Sequence, residues 1–160
     1  MKLFTAKWLA ACFLVFSSAI TYAEGANVNV PHNDKWKEEC GSCHIAYPPQ
    51  FLTGDNWRQM MGSLDKHFGV NATLDAKDSK EILDFLQSHA GSGDKHGAPN
   101  LRISDTSSFK REHRELPGSV WSDPAVKSRA NCTACHINAE RGDWSEEGVR
   151  MPGGKKHEND

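Results

Sequence analysis

The pentapeptide Cys-x-x-Cys-His occurs twice in this 160-residue chain, at residues 40–44 and at residues 132–136. In such a motif two thiols one helical turn apart can form thioether bonds to the vinyl groups of a porphyrin, and the His that follows can bind the iron. Two copies therefore predict two covalently bound haem c groups. The predicted attachment residues and proximal iron ligands are Cys40, Cys43 and His44 in the first motif, and Cys132, Cys135 and His136 in the second.

Paired cysteines also serve in zinc sites and in disulfides. Zinc ribbons place their two pairs about 15–20 residues apart, whereas 89 positions separate Cys43 from Cys132. Structural disulfides are common in exported proteins, but they would leave the His that follows each pair without a role. Haem attachment accounts for all three residue types in both motifs, so it is the favoured interpretation.

The N-terminus has the features of an export signal. Two lysines precede an apolar run at residues 8–20, and the Thr-Tyr-Ala sequence at residues 21–23 places small residues at the positions that signal peptidase recognises. The apolar run is too short for a retained membrane span. The sequence therefore predicts a signal peptide over residues 1–23, cleavage after Ala23, a periplasmic location, and a mature chain that is not stably inserted into a membrane.

Cleavage after Ala23 would leave 137 residues with 17 basic and 21 acidic side chains, a net charge of −4. It would also remove Cys12, so that each remaining cysteine belongs to a haem motif. The mature chain would then have no thiol for a disulfide, a nucleophile or another metal centre. The weakly acidic balance does not indicate nucleic-acid binding and suits a redox protein that meets a protein partner.

Hydrophobic periodicity predicts an all-α protein with long loops and no strands. The two haem-binding domains are expected to be partly similar to class I cytochromes c. Helices are predicted from Asn33 or Asp34 into the first motif, from Asp55 through Leu64, from about Asp75 to Ala90, from Thr106 to Glu115, and from Ser122-Asp123-Pro124 into the second motif.

A polar segment rich in glycine, residues 91–99, predicts a flexible linker. It divides the mature chain into a first haem c domain at residues 24–90 and a second at residues 100–160. Each domain contains one attachment motif and is expected to enclose one porphyrin.

The ligand on the second face of each iron determines the chemistry, because a strong sixth ligand favours electron transfer whereas an open position admits small molecules. His67 is the first candidate for the first haem, since it ends a predicted helix 23 residues after His44. His113 is the first candidate for the second haem, since it precedes His136 by 23 residues on a short helix.

Several alternatives for the sixth ligands stay open. His89, Met60 and Met61 could serve the first haem, although the two methionines fall on an apolar helix stripe where core packing is the ordinary explanation. Met151 could serve the second haem, and His113 could cross the linker to the first. The other histidines lie in polar segments and are expected at the surface: His32, His96 and His157.

Residues 36–142 resemble the small periplasmic dihaem cytochromes c called DHC. The shared segments include Cys-Gly-Ser-Cys-His-Ile-Ala-Tyr-Pro-Pro at 40–49, Trp57 to Met61, His67-Phe68-Gly69, Phe109 with His113, and 132–136 followed by Ala139 and Gly142. The resemblance implies His67 and His113 as sixth ligands of two bis-histidine, low-spin haems. It also implies low potentials and electron transfer to a small oxygen-binding monohaem cytochrome c. Low potentials are consistent with imidazole being a stronger donor than thioether.

The predicted function is non-enzymatic electron transfer to or from a protein redox partner, such as a monohaem cytochrome c or a membrane cytochrome. Beyond the haem motifs the sequence contains no pattern for substrate chemistry. Two alternatives remain: a ligand-binding or catalytic cytochrome with one labile haem, and a dihaem electron-transfer subunit of a periplasmic reductase.

Overall fold

The computed structural model describes residues 28–152. The predicted signal peptide and its cleavage site lie outside these residues. The described part contains four α-helices, eight short 3₁₀ helices and no strand, which confirms the all-α fold class. Within the same residues, no helix is long and apolar enough to cross a membrane.

Helix α1 spans Asp34–Gly41 and leads into the first haem motif, as predicted. Asn33 is its N-cap, and the Asn33 side-chain oxygen accepts a hydrogen bond of 2.7 Å from the Trp36 backbone N–H. Such a cap satisfies one of the N–H groups that have no partner within the helix. The helix buries Trp36 on its inner side and carries Cys40 near its end.

Helix α2 spans Gly54–Met61 and begins earlier than predicted, because Thr53 rather than Asp55 is the N-cap. It also ends before Leu64. Helix α3 spans Ala76–Ser88, close to the predicted range, and its N-cap Asp75 accepts bonds from two backbone N–H groups. The two helices pack against each other.

One apolar core lies between α1, α2 and α3. The Trp36 and Phe85 rings pack with their centroids 5.2 Å apart. Met60 and Met61 are 8% and 9% exposed and belong to this core, so the expectation of core packing is confirmed for both. The buried apolar residues of this cluster are Trp36, Leu52, Trp57, Met60, Met61, Ile82, Phe85, Leu86 and Ala98.

The second part of the described chain has less regular structure. Helix α4 spans only Ser107–Glu112, shorter than predicted, and is capped by the Thr106 hydroxyl. The helix predicted from Ser122-Asp123-Pro124 into the second motif is wrong. There the Asp123 carboxylate accepts a bond of 2.8 Å from the Ala125 N–H, as a helix N-cap would. The turn does not continue, because Lys127 has φ +65°, a left-handed conformation that cannot be part of an α-helix.

Residues 91–99, assigned above to a linker, are attached to the first half of the chain. The Gly91 N–H donates to the Leu52 carbonyl at 2.9 Å, and a Cβ atom at Gly91 would lie 2.2 Å from the Gln50 carbonyl oxygen. Ala98 is 2% exposed, and its backbone N–H and C=O both bond to the Asn56 side chain. Glycine is therefore needed at residue 91 for a close backbone approach. The division into two haem domains stays a prediction.

Candidate haem sites

The first attachment motif lies where α1 ends. Cys40 is on the last turn, the Ser42 hydroxyl donates to the Glu39 carbonyl at 3.0 Å, and Cys43 and His44 follow beyond the helix. The His44 Nδ1 atom lies 2.7 Å from the Ile45 carbonyl oxygen. When Nδ1 carries the ring proton it donates to this carbonyl, which leaves the Nε2 lone pair for a metal.

His67 is placed opposite His44 by a tight turn. It follows the 3₁₀ helix Leu64–Lys66, and the Val70 N–H returns to the His67 carbonyl at 3.0 Å. Gly69 within this turn has φ +102°, a conformation that side chains disfavour. The His44 and His67 rings lie with their centroids 6.1 Å apart and their planes 30° apart.

The second site is built in the same way from different elements. The second motif forms the 3₁₀ helix Cys132–Ala134, and the His136 N–H donates to the Cys132 carbonyl at 2.8 Å. His113 follows the end of α4, where its Nδ1 lies 2.9 Å from the Phe109 carbonyl. The His113 and His136 ring centroids are again 6.1 Å apart, with planes at 71°.

Both ring pairs have the separation that one shared metal requires. A metal–imidazole bond is about 2.0–2.1 Å long and the nitrogen lies about 1.1 Å from the ring centre, so two rings on opposite sides of a metal have centroids about 6.3 Å apart. The 6.1 Å distances match this value. His113 is paired with His136 in its own half, which is the uncrossed arrangement.

Burial favours the protonation states that these groups need. It is the main cause that lowers the pKa of His67 and of His113, and it lowers the pKa of His136 to about 4. The imidazoles are therefore neutral, as metal ligands must be. Burial also raises the pKa of Cys40 and of Cys132 to about 11, so both side chains are protonated thiols before attachment.

Two further observations fit a porphyrin at each site. The Nδ1 atoms of His67 and His136 are buried and have no hydrogen-bond partner among the described residues, as expected where a bound group completes the site. The large apolar side chains that are exposed within residues 28–152 are Phe68, Val70 and Ile137. Each lies within three residues of a predicted iron ligand, where a porphyrin would cover it. The residues present therefore fit haem.

The other candidate ligands are placed elsewhere. The His89 Nδ1 lies 2.9 Å from the Phe85 carbonyl oxygen, and the His89 ring packs on Phe85 at 4.9 Å rather than facing His44. Met60 and Met61 are in the core. Among the described residues, no three His, Cys, Asp or Glu side chains converge as a zinc cluster would require.

Of the aromatic side chains around the sites, only Phe109 was linked to a candidate ligand from the sequence, and Tyr47, Trp121 and Trp144 were given no role. Tyr47 stacks on His44 at 4.8 Å, and Trp144 packs on His136 at 5.2 Å. Phe109 stacks on His113 at 4.0 Å, and Trp121 lies 5.8 Å from both rings. The Tyr-Pro-Pro that follows the first motif was a usable signal for Tyr47. Nothing in the local sequence distinguishes Trp144.

Sites of this construction, two Cys-x-x-Cys-His motifs each with a second histidine opposite the first, define a c-type cytochrome. The sequence matches the Dihaem cytochrome c family over residues 36–144. The chain belongs to this family, and its cofactors are two covalently bound haem c groups. The resemblance to DHC predicted from the sequence is thereby confirmed.

Solved structures of related proteins agree. The structure is similar to a dihaem cytochrome type c from Shewanella baltica OS155, with a TM-score of 0.71 and 37% sequence identity, covering 81% of this chain and all of that one. It is also similar to DHC from Rhodobacter sphaeroides, with a TM-score of 0.64 and 34% identity, covering 72% of this chain and 99% of that one. No curated protein gave a match in the sequence search.

Proposed function

We propose that this cytochrome is an exported, periplasmic electron-transfer protein in which each haem iron has two histidine ligands. His44 and His67 would hold the first iron, and His136 and His113 the second. The observation that carries the proposal is the equal separation of 6.1 Å between the rings of both pairs. The two pairs arise from unrelated local structure, a turn at His67 and a helix end at His113.

Two imidazoles on one iron support electron transfer in preference to ligand chemistry. When bound, haem supplies a one-electron couple between ferric and ferrous iron. In this chain the paired histidines would hold each iron from both faces. Neutral, strongly donating imidazoles favour the ferric state, so both potentials should be low. An iron with both axial positions filled has no place for oxygen, peroxide or another substrate, and on this basis we propose no enzymatic activity.

We further propose a protein redox partner, with a small monohaem cytochrome c or a membrane cytochrome as the candidates. After cleavage at Ala23 the chain carries a net charge of −4, before the haem propionates are counted. An acidic protein is attracted over long range to a basic one, and this attraction is screened by salt with a Debye length of about 8 Å at 0.15 M. The rate of electron transfer to a basic monohaem cytochrome c should therefore fall as ionic strength rises. A rate that is unchanged by salt would contradict this partner chemistry.

Carbon monoxide binding to the ferrous protein tests the ligand assignment. The wild type should bind little carbon monoxide, because both sixth positions are occupied. His67→Ala should open one iron and bind one carbon monoxide per molecule, and His113→Ala should do the same at the other haem. His89→Ala is the matched control and should bind no more than the wild type.

Three results would contradict the proposal in different ways. Ready binding by the wild type would favour a ligand-binding or catalytic cytochrome with a labile haem. A His67→Ala variant that stays closed would show that another side chain holds the first iron. Carbon monoxide binding by His89→Ala would identify that side chain as His89.

A further inference from the structure

Each proximal histidine packs against an aromatic side chain that also contacts the other half of the chain. Tyr47 lies just after the first motif and reaches residues before the second. Trp144 lies just after the second motif and reaches the segment after the first.

Tyr47 connects the first proximal ligand to the second attachment motif. Its ring stacks on the His44 ring, with centroids 4.8 Å and planes 26° apart. Its hydroxyl donates a hydrogen bond to the Ala130 carbonyl, 83 positions along the chain and two residues before Cys132.

Trp144 makes the reciprocal connection. Its ring lies 5.2 Å from the His136 ring and meets the Phe51 ring edge to face, with centroids 4.8 Å and planes 76° apart. Edge-to-face packing is a favoured arrangement of aromatic pairs. Phe51 belongs to the 3₁₀ helix Pro49–Phe51, only four residues after Tyr47. The short segment of residues 47–51 therefore makes both of these contacts with the second half of the chain.

We propose that Tyr47 and Trp144 are positioning residues that couple the two haem sites. Contacts behind a metal ligand fix the orientation of the imidazole and tune the metal, and haem potentials respond to such contacts. Because each of these contacts is shared with the other half, the orientation of each proximal imidazole depends on the placement of the other site. Such coupling acts in both directions. The proposal rests on the assignment of His44 and His136 as iron ligands in the proposed function.

The test uses the ferric protein with both haems and the variant Tyr47→Phe, which keeps the ring stack and removes only the hydrogen bond to Ala130. The measurements are the paramagnetically shifted haem methyl signals in the proton NMR spectrum and a redox titration. A variant with one haem, Cys132→Ala with Cys135→Ala, assigns the two sets of signals. Tyr47→Phe should shift the methyl signals and the midpoint potential of the second haem, although the substitution lies in the first half.

Ser42→Ala is the matched control. It also removes a hydroxyl beside the first motif, but this hydroxyl bonds to the Glu39 carbonyl within α1 and does not reach the second half. It should leave the second haem unchanged. The reverse variant, Trp144→Leu, removes the contact with Phe51 and should shift the first-haem signals. If Tyr47→Phe changes only the first-haem signals, or changes the second haem no more than Ser42→Ala does, the coupling is refuted.

A measurement on the wild type does not depend on whether the variants fold. Of the two tyrosines in the chain, Tyr22 falls in the predicted signal peptide. In protein labelled with ¹³C-tyrosine, the Tyr47 ring signal should move in two steps as the two haems are reduced in turn. If the visible spectrum shows the two haems reduced separately and the Tyr47 signal moves with only one of them, the coupling is refuted. A ferric spectrum that is high-spin would instead count against the ligand assignment, so the two failures are distinguishable.

Discussion

Asn56 attaches residues 91–99 to the first core, and its removal should destabilise the protein with both haems measurably. The Asn56 side chain is 8% exposed, accepts from the Ala98 N–H at 2.9 Å and donates to the Ala98 carbonyl at 3.0 Å. Asn56→Ala would leave both groups of the buried Ala98 backbone without a partner. Each such loss costs about 1–3 kcal/mol, so we expect the two together to lower the free energy of unfolding by roughly 2–6 kcal/mol.

Urea unfolding followed by circular dichroism and by the Soret band gives this value. Gln59→Ala is the matched control, because Gln59 is an exposed residue on the same helix. It should change the free energy of unfolding by no more than about 0.5 kcal/mol. If Asn56→Ala is as stable as Gln59→Ala, residues 91–99 are not held as described.

Three further predictions concern stability, haem attachment and export. Gly142 has φ +78°, and a Cβ there would lie 2.7 Å from the Val28 carbonyl oxygen. Gly142→Ala should therefore lower the free energy of unfolding in urea by about 1–3 kcal/mol, whereas Gly118→Ala, with nothing within 4 Å of its Cβ, should not. Replacing Cys132 and Cys135 by Ala should leave one covalent haem, measured by intact mass, and the absorption bands of the first haem. Loss of both haems would show that the two halves cannot hold haem separately. The mass of the exported protein should correspond to a chain that begins at Glu24 and carries two haems, and a lipid-modified product would contradict the predicted cleavage.

The haem chemistry of this chain could be predicted because it depends on short local patterns. The two Cys-x-x-Cys-His motifs fix attachment without reference to the rest of the fold, and the family and its two haem c groups are confirmed. Helix α3 was predicted to within two residues at each end, since Asp75 is a strong cap and the apolar stripe is regular. The assignment of His67 and His113 as iron ligands stays a prediction, which is supported by the 6.1 Å separation of the rings in both histidine pairs.

Features that depend on the conformation of one backbone residue, or on contacts between residues far apart in the sequence, were not predicted. The helix expected from Ser122 does not form, because Lys127 adopts a left-handed backbone conformation with φ +65°. Residue 91 was interpreted as a flexible glycine, whereas the packing shows a close approach to the Gln50 carbonyl. The hydrogen bond from Tyr47 to Ala130 spans 83 positions. Periodicity and local motifs carry no information on such a pairing.

The absorption and electron paramagnetic resonance spectra of the purified ferric wild type test the central claim most directly. If His44 with His67 and His136 with His113 ligate the two irons, both haems should give low-spin signals typical of two imidazoles. The near-infrared charge-transfer band of methionine ligation should be absent. A high-spin signal, or a methionine band, from either haem in the intact protein would contradict the bis-histidine account.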